Sequence, residues 1–193
     1  MNDSQLIREI KDGRVDLYAT LIERYEKKIY LFVLHMLKPH GYDYLTEDIC
    51  QETFYKAYKS IHSFRDEEAT FSTWLYTIAR NTVLSELRKS KHKEVYLEDS
   101  FATPRVASER LPEQEILRNE REDLVRQAIN NLPEKQRTAV VLREYEQMDY
   151  KQIAQILGSS ISSVKSLLFR GRANIKAQLE AYFTEPKMEG KKG

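Results

Sequence analysis

Between Met148 and Arg172 the chain reads MDYKQIAQILGSSISSVKSLLFRGR, two helical periods broken by one glycine and a serine pair. Few other arrangements suit it. Asp149 and Gln152 form a capping-box pair that opens a short helix with Ile153, Ile156 and Leu157 on one face. Gly158 ends that helix because it accepts the left-handed conformation helix ends often need, and Ser160 is placed to cap the next one. In the second period Ile161, Val164 and Leu168 make the inward stripe. Ser162, Ser163, Lys165, Ser166, Phe169, Arg170 and Arg172 are left facing out. Small polar groups that can approach base edges, beside cations that can reach guanine or phosphate, are what a helix-turn-helix requires. An ordinary helical hairpin with a solvated outer face fits the same pattern, so the rest of the chain has to decide.

Only six Gly and five Pro interrupt the 193 residues, and helix formers dominate, so the fold class is all-α. Leu6, Ile7 and Ile10 form a short stripe ending at Gly13. A longer helix is expected from about Asp16 to Leu37, with Leu17, Leu21, Tyr25, Ile29, Phe32, Val33 and Met36 inward, and Pro39 and Gly41 close it. The segment from Leu45 to Ile61 has two unlike faces. Ile49, Phe54, Ala57, Tyr58 and Ile61 are inward candidates, while Glu47, Asp48, Gln51 and Glu52 crowd its N-terminal end. Acids there oppose the helix dipole, worth about 0.3–1 kcal/mol each, or they form a docking face for a basic partner.

An aromatic stretch follows. A loop from about His62 to Thr70 leads into a helix near Ser72, gathering Phe64, Phe71, Trp74 and Tyr76, and then Arg80, Arg88, Lys89, Lys91 and Lys93 accumulate against the single acid Glu86. Aromatics beside a basic helix end suit a single nucleic-acid strand, where stacking is worth about 1–3 kcal/mol per base. A core role for Trp74, Leu75 and Ile78 is the competing reading. From Glu94 to about Pro112 the periodicity fails, and this stretch reads as a linker. Beyond it, Glu113 to Asn131 forms a charged amphipathic helix with Ile116, Leu117, Leu124, Ala128 and Ile129 inward. Leu132-Pro133 opens another, with Ala139, Val140, Leu142 and Tyr145 on its apolar side. The resulting organisation is two small helical domains joined by a flexible linker: 1–94, linker 95–112, a helix-turn-helix domain 113–183, and a disordered tail 184–193.

A net charge of +1 gives no general affinity for nucleic acid, so any such surface must be local. Four cations and no acid between Lys165 and Lys176 supply one. Hydrolytic and metal chemistry find no support: His35, His40, His62 and His92 lack metal-ligand spacing, no Gly-rich phosphate loop is present, and the single Cys50 reads as a buried structural thiol. No metal, cofactor or catalytic residue is expected. The lone cysteine and the absence of an apolar run near ~20 residues point to the cytoplasm.

Four segments in order, TEDICQETFYKAYKSI, FSTWLYTIARN, LPEKQRTAVVLREYEQMDYKQIAQILG and SVKSLLFRGR, together resemble a bacterial RNA polymerase sigma factor of the extracytoplasmic-function (ECF) group of the sigma-70 family. The resemblance implies that Glu47, Asp48, Gln51, Glu52 and Phe54 dock on the clamp helices of the polymerase beta-prime subunit, with the flap of the beta subunit a second contact. It also implies that Phe64, Arg65, Phe71, Thr73, Trp74, Tyr76, Arg80, Asn81, Arg88 and Lys89 bind and melt the minus-10 promoter element, a flipped base being captured. The outward residues of the helix-turn-helix, led by Lys165, Ser166, Phe169 and Arg170, would read the minus-35 element. An anti-sigma factor is an implied partner, and envelope or stress control an implied setting. Leu167, Gly171 and Ser85 depart from the family's usual arginine, alanine and aspartate, and Leu17-Tyr18 replaces its usual Ala-Phe pair. The alternative is a stand-alone helix-turn-helix regulator that binds duplex DNA as a dimer.

Overall fold

The computed structural model describes residues 1–96 and 113–184, without the side chains of 91–96, 113–120 and 183. Helix α1 (Asp3–Lys11) is opened by Asn2, whose side chain accepts from the Gln5 amide while Gln5 returns a bond to the Asn2 amide. Helix α2 (Tyr18–Leu37) follows a one-turn 3-10 segment, and Gly41, at φ 76°, turns the chain toward α3 (Thr46–Ser60). Helix α4 (Phe71–Tyr96) completes the N-terminal half. Leu21, Ile29, Phe32, Val33, Ile49, Ala57, Ile61, Leu75 and Ala79 are sealed between these helices.

The C-terminal half comprises α5 (Glu113–Asn130), α6 (Glu134–Glu144), α7 (Tyr150–Leu157) and α8 (Ile161–Thr184). Buried Arg137 ties α6 to the end of α5 by donating to the carbonyls of Asn130 (3.0 Å) and Leu132 (2.8 Å). Gly171 lies where α8 crosses α6 so closely that a Cβ built on it would stand 2.9 Å from Val140 Cγ2. That contact explains a glycine in the middle of a long helix, where it forgoes about 1 kcal/mol of propensity.

The two halves pack on one another: α7 lies against α4, α6 against α2, and one continuous apolar cluster runs through both. Helix α4 continues to Tyr96, into the expected linker, and residues 97–112 and 185–193 lie outside the described residues, as do the side chains of Ile116 and Leu117. Tyr58, Tyr145 and Ile161, assigned inward, are exposed, although Tyr58 lies against Tyr18 (5.1 Å between ring centroids) and Tyr145 against His35 (5.2 Å).

Candidate nucleic-acid and protein interfaces

The helix-turn-helix is built from local bonds. Asp149 accepts from the Gln152 amide at 2.8 Å and Gln152 Oε1 accepts from the Asp149 amide at 3.0 Å, completing the capping box. Gly158 takes φ 60° and ends α7, and Ser160 Oγ accepts from the Ser163 amide at 3.1 Å to open α8. The approach to α7 is held by Arg143, which donates to the Met148 carbonyl at 2.8 Å and lies 5.2 Å from the Tyr150 ring centroid. Val164 and Leu168 root α8 in the core.

Ser162, Ser163, Lys165, Ser166, Phe169 and Arg170 share the solvent side of α8, and Phe169 is 75% exposed. Arg170 bonds only the Ser166 carbonyl of its own helix (3.2 Å) among the bonds described, leaving the guanidinium's outer edge available. Arg172 is different. Its Nε and Nη2 both meet Glu144 Oε1, at 3.1 and 2.6 Å, so it links α8 to α6, and this pairing raises its pKa further. Leu167 packs half-buried against the core, where an arginine would find apolar neighbours.

The aromatic stretch divides. Phe64, Phe71, Thr73 and Tyr76, expected at the minus-10 surface, are buried in this conformation. Phe64 and Phe71 pack edge-on at 5.9 Å and Phe71 meets Tyr25 at 5.5 Å, a cluster that fixes the start of α4. Trp74 leans on the same two rings, at 5.1 and 5.8 Å, and remains half-buried. Arg80, also expected to be free, is held by Glu134: Nε and Nη2 donate to one carboxylate oxygen at 3.1 and 3.0 Å. Arg65, Asn81, Arg88 and Lys89 are exposed.

The acidic cluster borders an apolar groove of about 1010 Å³ between α2 and α3. Ile22, Tyr30, Cys50, Phe54, Tyr55 and Tyr58 line it, with Glu47 and Gln51 on its rim. Tyr55, 60% exposed, was not singled out from the sequence; its position one residue after inward Phe54 is the signal that a second apolar face begins there. Asp48 and Glu52 lie outside the lining, and Glu52 pairs with Lys56 at 2.7 Å. Cys50, expected to be buried, is half-exposed in the groove, and burial, then Glu47, pushes its thiol pKa up to about 12.

The fold is all-α and in two parts, with a helix-turn-helix in the C-terminal half and an apolar groove between α2 and α3 in the other. The Sigma-70 region 2 model matches residues 21–93, and the Sigma-70, region 4 model matches residues 122–175. The chain is 35% identical to the ECF RNA polymerase sigma factor SigW of Bacillus subtilis, over 90% of this chain and 94% of the relative. It is 33% identical to the ECF RNA polymerase sigma-E factor of Haemophilus influenzae, over 93% and 96%. Among solved structures, sigma factor RpoE in complex with the anti-sigma factor NepR from Bartonella quintana shares the fold, with TM-score 0.67 and 22% identity, over 84% of this chain and 96% of that one. The chain belongs to the sigma-70 family, in its ECF group. It is thus an initiation factor that directs core RNA polymerase to promoters, and none of these likenesses favours the stand-alone regulator. No described helix is long and apolar enough to cross a membrane.

Proposed function

We propose that the two interfaces divide the work of promoter recognition. The exposed face of α8, chiefly Lys165, Ser166, Phe169 and Arg170, reads the minus-35 element in the major groove, supported by the locked capping geometry that presents it. Arg172 contributes less, being engaged by Glu144. The region about Trp74, with Arg65, Asn81, Arg88 and Lys89, receives the non-template strand at the minus-10 element, and Arg80 joins it once released from Glu134. The α2/α3 groove docks the clamp helices of core polymerase, its apolar floor supplying affinity and Glu47 and Gln51 the register. An anti-sigma factor competing for the same groove is the natural means of control, since the apolar surface of Tyr30, Tyr55 and Tyr58 serves any amphipathic helix.

The observation that carries this division is the pairing of an open recognition helix with a separate, tyrosine-lined groove on the other half of one chain. In vitro transcription with sigma-free core polymerase over a promoter library tests it. Addition of the protein should produce initiation at a defined subset, and Tyr55→Glu should abolish initiation while leaving duplex binding by α8 intact. Tight duplex binding alone, with no initiation on any promoter, would return the stand-alone regulator reading.

A further inference from the structure

A second cavity, of about 880 Å³, opens between α2 on one side and α5 and α6 on the other. Lys27 stands on the ridge that parts it from the α2/α3 groove. Its floor is apolar and closed, with Phe32 and Val141 buried there. Its walls are apolar and open. Leu31, Val125 and Tyr145 are 44, 38 and 52% exposed, so three large side chains face one cavity with nothing laid over them among the described residues. A contiguous apolar patch rimmed by polar groups marks a binding site. The rim here is positive. Lys27, Lys28, Lys38, Arg121 and Arg126 stand around it against two carboxylates, Glu122 and Glu146. Arg126 is turned to Asp123 at 3.1 Å, whereas Lys27, Lys28, Lys38 and Arg121 make no ion pair among the described residues.

We propose that this cavity binds a long-chain carboxylate, its hydrocarbon chain laid along α2 and its head at the Lys38 end. Sites that enclose small ligands run to about 300–1,000 Å³ and are apolar inside with few polar groups at the edge, and this cavity has both properties. Lys28 and Lys38 bracket its α2 wall, about 15 Å apart along the helix axis. Some 880 Å³ spread over that length leaves a section narrower than an α-helix, which is about 10–12 Å across with its side chains. A single extended chain fits where a helix of a partner protein is too wide. The direction follows from charge. At the Lys28 end Glu146 stands close, since both line one small polar pocket, and offsets the ammonium. At the other end Arg126, Lys38 and Arg137 add to burial in lowering the His35 pKa, which marks a positive field without an acid to cancel it. A carboxylate placed there accepts charge-assisted hydrogen bonds that a neutral head cannot. Because α2 lies in one half of the chain and α5 and α6 in the other, neither half alone encloses the ligand.

Isothermal titration of the full chain with dodecanoate, kept below its micellar concentration, tests the proposal, with circular dichroism confirming that each variant stays helical. One molecule should bind per chain. Decanoate should bind more weakly by about fourfold for each methylene removed. Dodecanol should bind at least about tenfold more weakly than dodecanoate, the factor for one hydrogen bond to a charged group. Lys38→Gln should bring dodecanoate down toward the level of dodecanol while leaving dodecanol unchanged, and Lys28→Gln should do less. Val125→Glu, which sets a carboxylate on an open wall, should weaken dodecanoate by at least about tenfold. Tyr55→Glu, in the α2/α3 groove, should bind dodecanoate as wild type does. Loss of binding in Tyr55→Glu with retention in Val125→Glu would place the chain in the other groove and overturn the proposal. So would equal affinity for dodecanoate and dodecanol, many molecules bound per chain, no binding at all, or an acidic helical peptide that titrates where dodecanoate does not.

Discussion

Replacing Gly171 by alanine sets two calculable effects against each other. In an exposed helix interior the change gains about 1 kcal/mol, because alanine loses less backbone freedom on folding. Here the new methyl would stand 2.9 Å from Val140 Cγ2, with the Gln136 Cβ and carbonyl oxygen at 3.7 Å. Carbon atoms pack best at about 3.5–4.0 Å, so α6 and α8 must move apart or Val140 must leave its rotamer. Val140 is 2% exposed and β-branched, which leaves it little room to turn. Overpacking of this kind costs about 1–3 kcal/mol, so the net effect should run from neutral to about 2 kcal/mol destabilising. Urea unfolding of the full chain in a double-mutant cycle with Val140→Ala isolates the collision. With the valine methyls gone, Gly171→Ala should recover its gain of about 1 kcal/mol, giving a coupling of about 1–3 kcal/mol. Additive effects, with Gly171→Ala stabilising by the full propensity in both backgrounds, would refute close approach as the reason for the glycine.

Asp149→Ala removes the α7 cap and should destabilise the chain by about 1 kcal/mol in the same unfolding assay, with Asp149→Asn, which keeps the accepting oxygen, close to wild type. Cys50 should alkylate with iodoacetamide at least about a hundredfold more slowly than a free thiol near neutral pH, since a pKa of about 12 leaves almost no thiolate; a free-thiol rate would refute its burial between α2 and α3. His35, tilted against Tyr145 with ring centroids 5.2 Å apart, has its pKa lowered first by burial and then by Arg126, Lys38 and Arg137. The unfolded chain therefore binds the proton more readily, so stability is fully present above about 6.5 and falls as the pH drops below it toward the folded value. His35→Gln should flatten that acid limb in urea titrations. Arg170→Ala should cost about 1–3 kcal/mol at one promoter position if it reads a base, whereas an equal loss on every sequence would mark a phosphate contact.

Much of the helix-turn-helix was legible because its determinants are neighbours in the chain. A capping box spans three residues, Gly158 is needed wherever the backbone turns left-handed, and Val164 and Leu168 lie one helical turn apart whatever they face. The acidic cluster could be located but not explained. Its groove needs Tyr30 on α2 opposite Tyr55 on α3, and only the crossing of those helices brings them together.

The sequence by itself thus determined the all-α class, the punctuation of the helices and the face that α8 turns to solvent, since each depends on partners within one or two turns. Tertiary structure alone decided which aromatics are core and which are available, because Phe71 and Tyr76 pack on Tyr25 and Phe32 of α2 and Phe64 lies beside Lys11 of α1. It also decided the fate of Arg80. A cation among cations in the sequence becomes a closed contact when Glu134, 54 residues away, arrives beside it. Hydrogen bonds along a helix are fixed by spacing, whereas a salt bridge across a seam depends on where two halves come to rest.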